Sequence, residues 1–189
     1  NIAQPTASPA SNTIYTVTVT TNNGCVTTDT VSVFIDNTQP TADAGSAATI
    51  TCAANSPVNI GSAAINGNTY SWSPTSGLNS SAIAEPSALP STTTDYTVTV
   101  TGSNGCTATS NVTITVDDNL PVADAGADDS LDCITPSAVI GSVAILGNTY
   151  AWSPADGLNA TNVAQPTATP TSTSIYTVTV TGSNGCTAT

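Results

Sequence analysis

Lysine, arginine, histidine and methionine are all absent from this chain, and each absence removes a class of chemistry. Without basic side chains nothing can neutralise phosphates, so nucleic acid is excluded as a partner. Electrostatic attraction to anionic lipid goes with it. No ion pair can form between side chains, and no lysine is present to make an isopeptide crosslink. Without histidine or lysine, neither a Ser–His or Cys–His pair nor a phosphate-binding P-loop can be assembled. No apolar run is long enough to span a membrane. No N-terminal signal peptide is visible, which carries little weight because the sequence opens inside a repeat unit.

What charge there is has one sign. The twelve ionised groups are eleven aspartates and Glu85, for a net charge of −12 over 189 residues. A surface of this kind is unusual, since both signs are normally interspersed. Stability must come from apolar burial, backbone ladders and covalent or metal links. The acidity does not imply disorder. Disordered chains are poor in β-branched residues, whereas Thr, Val and Ile alternate here over long stretches.

The alternation is clearest in Tyr96–Thr109, YTVTVTGSNGCTAT, which recurs letter for letter as Tyr176–Thr189 and, in variant form, as Tyr15–Thr28. Apolar and hydroxyl side chains at period two describe a half-buried strand. Gly102-Ser103-Asn104-Gly105 supplies the residues that tolerate a reversal. Cys106 opens the return strand through Val112, Ile114 and Val116. The unit is a β-hairpin, repeated.

The repeat extends to the whole chain. Trp72 and Trp152 are 80 positions apart, as are Tyr96 and Tyr176; Cys52 and Cys133 are 81 apart, as are Cys25 and Cys106. The opening Asn1–Ala7 matches Asn162–Ala168. Residues 1–37 read as the C-terminal half of one module, 38–118 as a complete module, and 119–189 as a third lacking its last strand. Within a module, short strands alternate with Pro- and Gly-containing loops such as Ser73–Asn79, and helical periodicity is absent. The pattern predicts an all-β fold: antiparallel immunoglobulin-like sandwiches of about 80 residues in tandem.

The segments PVADAGADDSLDC (Pro121–Cys133) and IGSVAI (Ile140–Ile145) resemble the opening of PKD-like and immunoglobulin-like repeats. TYSWSPTSGLN and TYAWSPADGLN, each followed by YTVTVTGSNGCTAT, are similar to tandem repeats of Bacteroidota surface proteins. Those are long adhesins, often exported by type IX secretion, some of the gliding-motility class. The resemblance covers the whole chain. It implies extracellular, cell-surface display and a scaffold without a common active site. It does not account for the missing Lys and Arg.

In a PKD-like sandwich the segment carrying Cys52 lies beside the strand that Cys106 opens. Pairing within modules would then join Cys52 to Cys106 and Cys133 to Cys186, with the partner of Cys25 upstream. The rival scheme crosses the junctions, joining Cys25 to Cys52 and Cys106 to Cys133. Either places the chain in an oxidising compartment. Metal ligation by these thiols is disfavoured, as there is no CxxC spacing.

Among the acids, repetition is a filter. Asp36 matches Asp117 and Asp43 matches Asp124, both pairs flanking a junction that contains Pro40 or Pro121. Asp117, Asp118, Asn119 and Asp124 offer the hard oxygen ligands calcium prefers, so one reading is a calcium ion stiffening the linker. The other is turn capping with solvated charges. Asp128, Asp129 and Asp132 form an exposed cluster in the third module alone. Glycoside hydrolysis needs only two carboxylates, but Glu85 and the lone aspartates do not recur, and the chain reads as a non-enzyme. Trp72 and Trp152 are read as sandwich core, with Tyr15, Tyr96 and Tyr176 in tyrosine-corner-like positions; a sugar-stacking platform would need the tryptophans exposed. Asp29-Thr30-Val31 and Asp129-Ser130-Leu131 resemble short Bacteroidota O-glycosylation sequons, making Thr30 and Ser130 candidate acceptors.

The expected function is structural: a disulfide-stapled stalk or filament region of an adhesin, whose partners are neighbouring modules or identical chains. Glycan binding and strand exchange between chains are the alternatives.

Overall fold

The computed structural model describes residues 4–189, so Asn1, Ile2 and Ala3 of the repeat match lie outside the described residues. The described residues contain strands and turns and no helix. The second and third units form immunoglobulin-like β-sandwich modules, and the first contributes a hairpin.

The best-packed part lies between Ala48 and Asp117. Its strands are β3 (Ala48–Thr51), β4 (Val58–Asn59), β5 (Thr69–Ser73), β6 (Ser87–Ala88), β7 (Thr94–Thr101) and β8 (Thr107–Asp117). One sheet has the order β3-β8-β7-β5, and β4 pairs with β6 to make the second layer. The period-two pattern is used as the sequence suggests: Tyr96, Val98 and Val100 of β7 and Val112 and Ile114 of β8 point inward. They meet Ile50, Ile60, Trp72 and Ala88 in one cluster, while the intervening threonines face out.

One pairing departs from the antiparallel expectation. The β3 strand runs parallel to β8, with Ala48 opposite Ile114 and Thr51 opposite Asp117. The other strand pairs are antiparallel, including β7 with β8, where Tyr96 faces Val112.

The third unit repeats this plan with shorter elements: β9 (Ala138–Val139), β10 (Thr149–Ser153), β11 (Thr167–Ala168), β12 (Thr177–Thr181) and β13 (Thr187–Ala188). Here β9 pairs with β11, and β10-β12-β13 form a sheet. Trp152, Val178 and Val180 are its buried centre, with Tyr176 packed against them. The first unit is the hairpin β1 (Thr13–Thr20) and β2 (Val26–Val33). Its Val17 and Val31 stand 56% and 60% exposed, because no other described strand packs on that face. The same letters are core in one unit and surface in another, so the second layer, not the pattern, produces the burial.

One tryptophan and one tyrosine fix the loops to each core. The indole N–H of Trp72 donates to the Ile83 carbonyl at 2.9 Å, and that of Trp152 to Val163 at 2.9 Å. Tyr96 donates its hydroxyl to the Ser76 carbonyl at 2.6 Å, and Tyr176 to Asp156 at 2.7 Å. Each hydroxyl reaches back twenty residues to a loop carbonyl, farther than the few residues spanned by a tyrosine corner, and Tyr15 of the first unit is 38% exposed.

Candidate functional site at the module junction

The densest set of interactions between repeat units surrounds Asp117, where β8 ends and the linker begins. Three features meet there: the end of β3, the linker itself and the hairpin turn of the following unit.

The turn is built locally. In Gly182–Cys186 the Gly182 amide donates to the Cys186 carbonyl at 2.9 Å, and the Gly185 amide to Gly182 at 2.9 Å. Gly185 takes φ +79°, a left-handed conformation that costs a residue with a Cβ. Asn184 Oδ1 accepts from the Cys186 amide at 3.0 Å. That bond turns the other end of the amide outward. There Asn184 Nδ2 donates to the Asp117 carboxylate at 3.0 Å and to the Asn119 carbonyl at 2.9 Å. The Asp117 carboxylate also accepts from Asn119 Nδ2 at 2.8 Å. Hydrogen bonds from Asn119 first, then from Asn184, hold its pKa below the ordinary carboxylate value.

The preceding junction has a related latch, made to the backbone carbonyls of Asp36 and Thr38. Asn104 Nδ2 donates to the Thr38 carbonyl at 2.9 Å, beside Asp36. Donation from the Thr38 amide, followed by the Thr38 hydroxyl and Asn104, lowers the pKa of Asp36. Sequence reading did not single out Asn104 and Asn184. The signal was present, since both the NGC turn and Asp36/Asp117 recur at fixed positions, but nothing in one dimension brings them together.

The covalent bond of this site is Cys52–Cys186, with Cα atoms 4.9 Å apart and a sequence separation of 134. Cys25, Cys106 and Cys133 are unpaired. This corrects both pairing schemes: Cys52 does not join Cys106 or Cys25, and Cys133 joins neither Cys186 nor Cys106. The reason is the direction of β3. Because it runs parallel to β8, its end at Thr51 lies opposite Asp117, whereas Cys106 precedes the other end of that eleven-residue strand. At ~3.3 Å per residue the two cysteines are separated by roughly 35 Å of sheet, far beyond disulfide reach. Cys52 is delivered instead to the exit of its own module, against the next module's hairpin. Ala53 completes the contact, donating its amide to the Asn184 carbonyl at 3.1 Å.

The other predicted residues are placed as follows. Asp124 accepts from the Gly126 amide at 2.9 Å, a turn cap like that of Asp43 on Gly45 at 2.8 Å. Asp118 is exposed. Among the described residues no three His, Cys, Asp or Glu side chains come together as a metal-holding group; Asp117, Asn119 and Asp124 instead make the hydrogen bonds above. Thr30 and Ser130 are both exposed, and in each the preceding aspartate accepts from the acceptor's own amide at 2.8 Å. Trp72 and Trp152 are 2% and 5% exposed, so neither ring offers a face to a sugar. A groove of about 690 Å³ runs beside Trp152, between the 125–131 segment and residues 170–176.

No protein-family model and no curated protein matches the chain. Among solved structures, the human desmocollin-1 ectodomain aligns over 95% of this chain and 43% of its own length, at 12% identity and a TM-score of 0.38. A Bacteroides ovatus protein, SGBP-B of a mixed-linkage glucan utilization locus, solved in complex with a mixed-linkage heptasaccharide, aligns over 92% of this chain and 51% of its own length, at 12% identity and a TM-score of 0.22. This chain therefore spans about half the length of those proteins or less.

Proposed function

We propose that the chain is a load-bearing region of an extracellular module array: a disulfide-stapled stalk or filament segment of a surface adhesin. The observation that carries this reading is that Cys52–Cys186 joins successive repeat units rather than closing one of them. A single linker is a pivot. A second tie, fixed at a different point of the next module, removes most of the bending freedom. The Asn184 latch on Asp117 holds the linker itself against that same hairpin. Such a device serves an object that must transmit force or keep its reach, and it requires an oxidising compartment to form. The one-signed, cation-free surface stays hydrated without ion pairs and gives trypsin-like proteases no cleavage site.

Two measurements test it. Small-angle scattering of the oxidised chain should fit one narrow distribution of sizes, which broadens on reduction; identical profiles would remove the stapled-stalk reading. Antibody labelling of intact producing cells should find the protein outside, and labelling only after permeabilisation would remove the surface reading.

A second reading is a subunit completed by strand addition from a neighbouring chain; it rests on the hairpin β1–β2, whose Val17 and Val31 are exposed. Light scattering that finds a monomer at high concentration would dismiss it.

A further inference from the structure

The unpaired cysteines share a pattern with the bonded pair. Cys106 has the setting of Cys186: the Gly102 amide donates to its carbonyl at 2.9 Å, its own amide donates to Asn104 Oδ1 at 3.0 Å, and Asn104 latches the preceding linker. Cys133 has the setting of Cys52. The Thr51 amide donates to Ala54 across the Cys52 turn at 3.5 Å, and the Asp132 amide to Thr135 across the Cys133 turn at 3.1 Å. Asp132 also accepts from the amides of Ile134 and Thr135, both at 2.7 Å. Both kinds of turn are therefore formed without the bond.

What differs is the covering. A Cβ placed on Gly185 would meet Ala53 at 2.8 Å from its amide nitrogen, whereas one placed on Gly105, at almost the same φ, meets nothing within 4 Å. The hairpin of the second unit is shaped for a loop that none of the described residues supplies. A partner 134 residues before Cys106 or Cys25, or 134 residues after Cys133, falls outside this sequence.

We infer that Cys106 and Cys133 are the two open halves of the clasp that Cys52 and Cys186 close. Cys106 takes the loop cysteine of a preceding module, and Cys133 takes the hairpin cysteine of a following one. The bonded modules then form a ladder with one disulfide per junction and none within a module. Cys25, on the hairpin of the first unit, is a position of the Cys106 type. The following module could belong to the same polypeptide or to a second copy of this chain; the chemistry is the same. Each bond forms from two thiols with loss of two protons and two electrons, accepted by a disulfide such as oxidised glutathione, which leaves as two glutathione thiols. The inference rests on the array reading above.

The test uses the full chain, and the full chain extended after Thr189 by a further copy of residues 110–189, each refolded in a glutathione redox buffer and mapped by mass spectrometry after alkylation. In the unextended monomer, Cys52–Cys186 should be intact and Cys25, Cys106 and Cys133 alkylated. In the extended chain, Cys133 should be bonded to the added hairpin cysteine, and Cys133→Ser should abolish that bond while leaving Cys52–Cys186 in place. If a second copy serves instead, the unextended chain will form covalent oligomers whose linked peptides join Cys133 to Cys25 or Cys106 of another molecule. Alkylated Cys133 in every species, or its bonding to Cys106 of the same molecule or to another loop-type cysteine, would overturn the ladder. Loss of Cys52–Cys186 from the native map would overturn the array reading as well, so the two failures are distinguishable.

Discussion

Asn184 donates to the carboxylate of Asp117 at 3.0 Å although 67 positions separate them, and this bond ties the hairpin of one repeat unit to the last strand of the unit before it. The geometry needs an ionised or at least accepting oxygen at Asp117 and a correctly turned amide at Asn184. Both are set by local bonds, from Asn119 on one side and the Cys186 amide on the other.

Acid should loosen this contact. The folded pKa of Asp117 lies below the ordinary value of 3.8, so its contribution is fully present above the unfolded carboxylate range and is lost as pH falls through the lower, folded value. Protonation of the other eleven carboxylates relieves the self-repulsion of a one-signed chain and acts in the opposite sense. Comparing the chain with Asp117→Asn cancels that common term. Between about pH 5 and pH 2.5 the wild-type melting temperature should fall relative to the variant's; parallel curves would show that the carboxylate adds nothing.

Gly185→Ala and Gly105→Ala isolate the packing of the clasp. Both demand φ near +80° of alanine, at a cost of ~1–2 kcal/mol. Only the first also drives a methyl into Ala53. Gly185→Ala should therefore be the more destabilising and should slow closure of Cys52–Cys186 during refolding, read by thiol titration. Equal effects would mean that the loop does not bear on the turn.

Reduction should uncouple the units. On the chain-entropy model, closing a 134-residue loop stabilises by at most about 5 kcal/mol, less where the modules fold independently. Calorimetry of the oxidised chain should show the second and third units melting together, and Cys186→Ser should split the transition with the third unit melting lower. An unsplit, unshifted transition in the serine variant would argue that the bond couples nothing.

Trp72→Phe leaves the Ile83 carbonyl without its 2.9 Å donor. A typical hydrogen bond contributes about 0.5–1.5 kcal/mol net, with lost ring volume adding to it, so urea unfolding of the second unit should shift to a lower midpoint. An unshifted midpoint would place the indole outside the energetics of the core.

Much of this architecture is written in one dimension. Alternating Thr and Val favour an extended strand, and Gly-Ser-Asn-Gly favours a reversal, so the hairpins follow from local sterics wherever the letters occur. Exact internal repetition sets the period, and the tryptophans mark its cores. The cysteines were legible as bond-forming residues and the aspartates as junction residues, each from composition and recurrence. Their partners were not. A strand looks the same whether its neighbour runs with it or against it, because side-chain alternation carries no sense of direction. Only the folded sheet decided that β3 runs parallel to β8, and that one choice moves Cys52 from the mouth of its own hairpin to the far pole of the module. There it meets Cys186, and an expected internal staple becomes a bridge between neighbours.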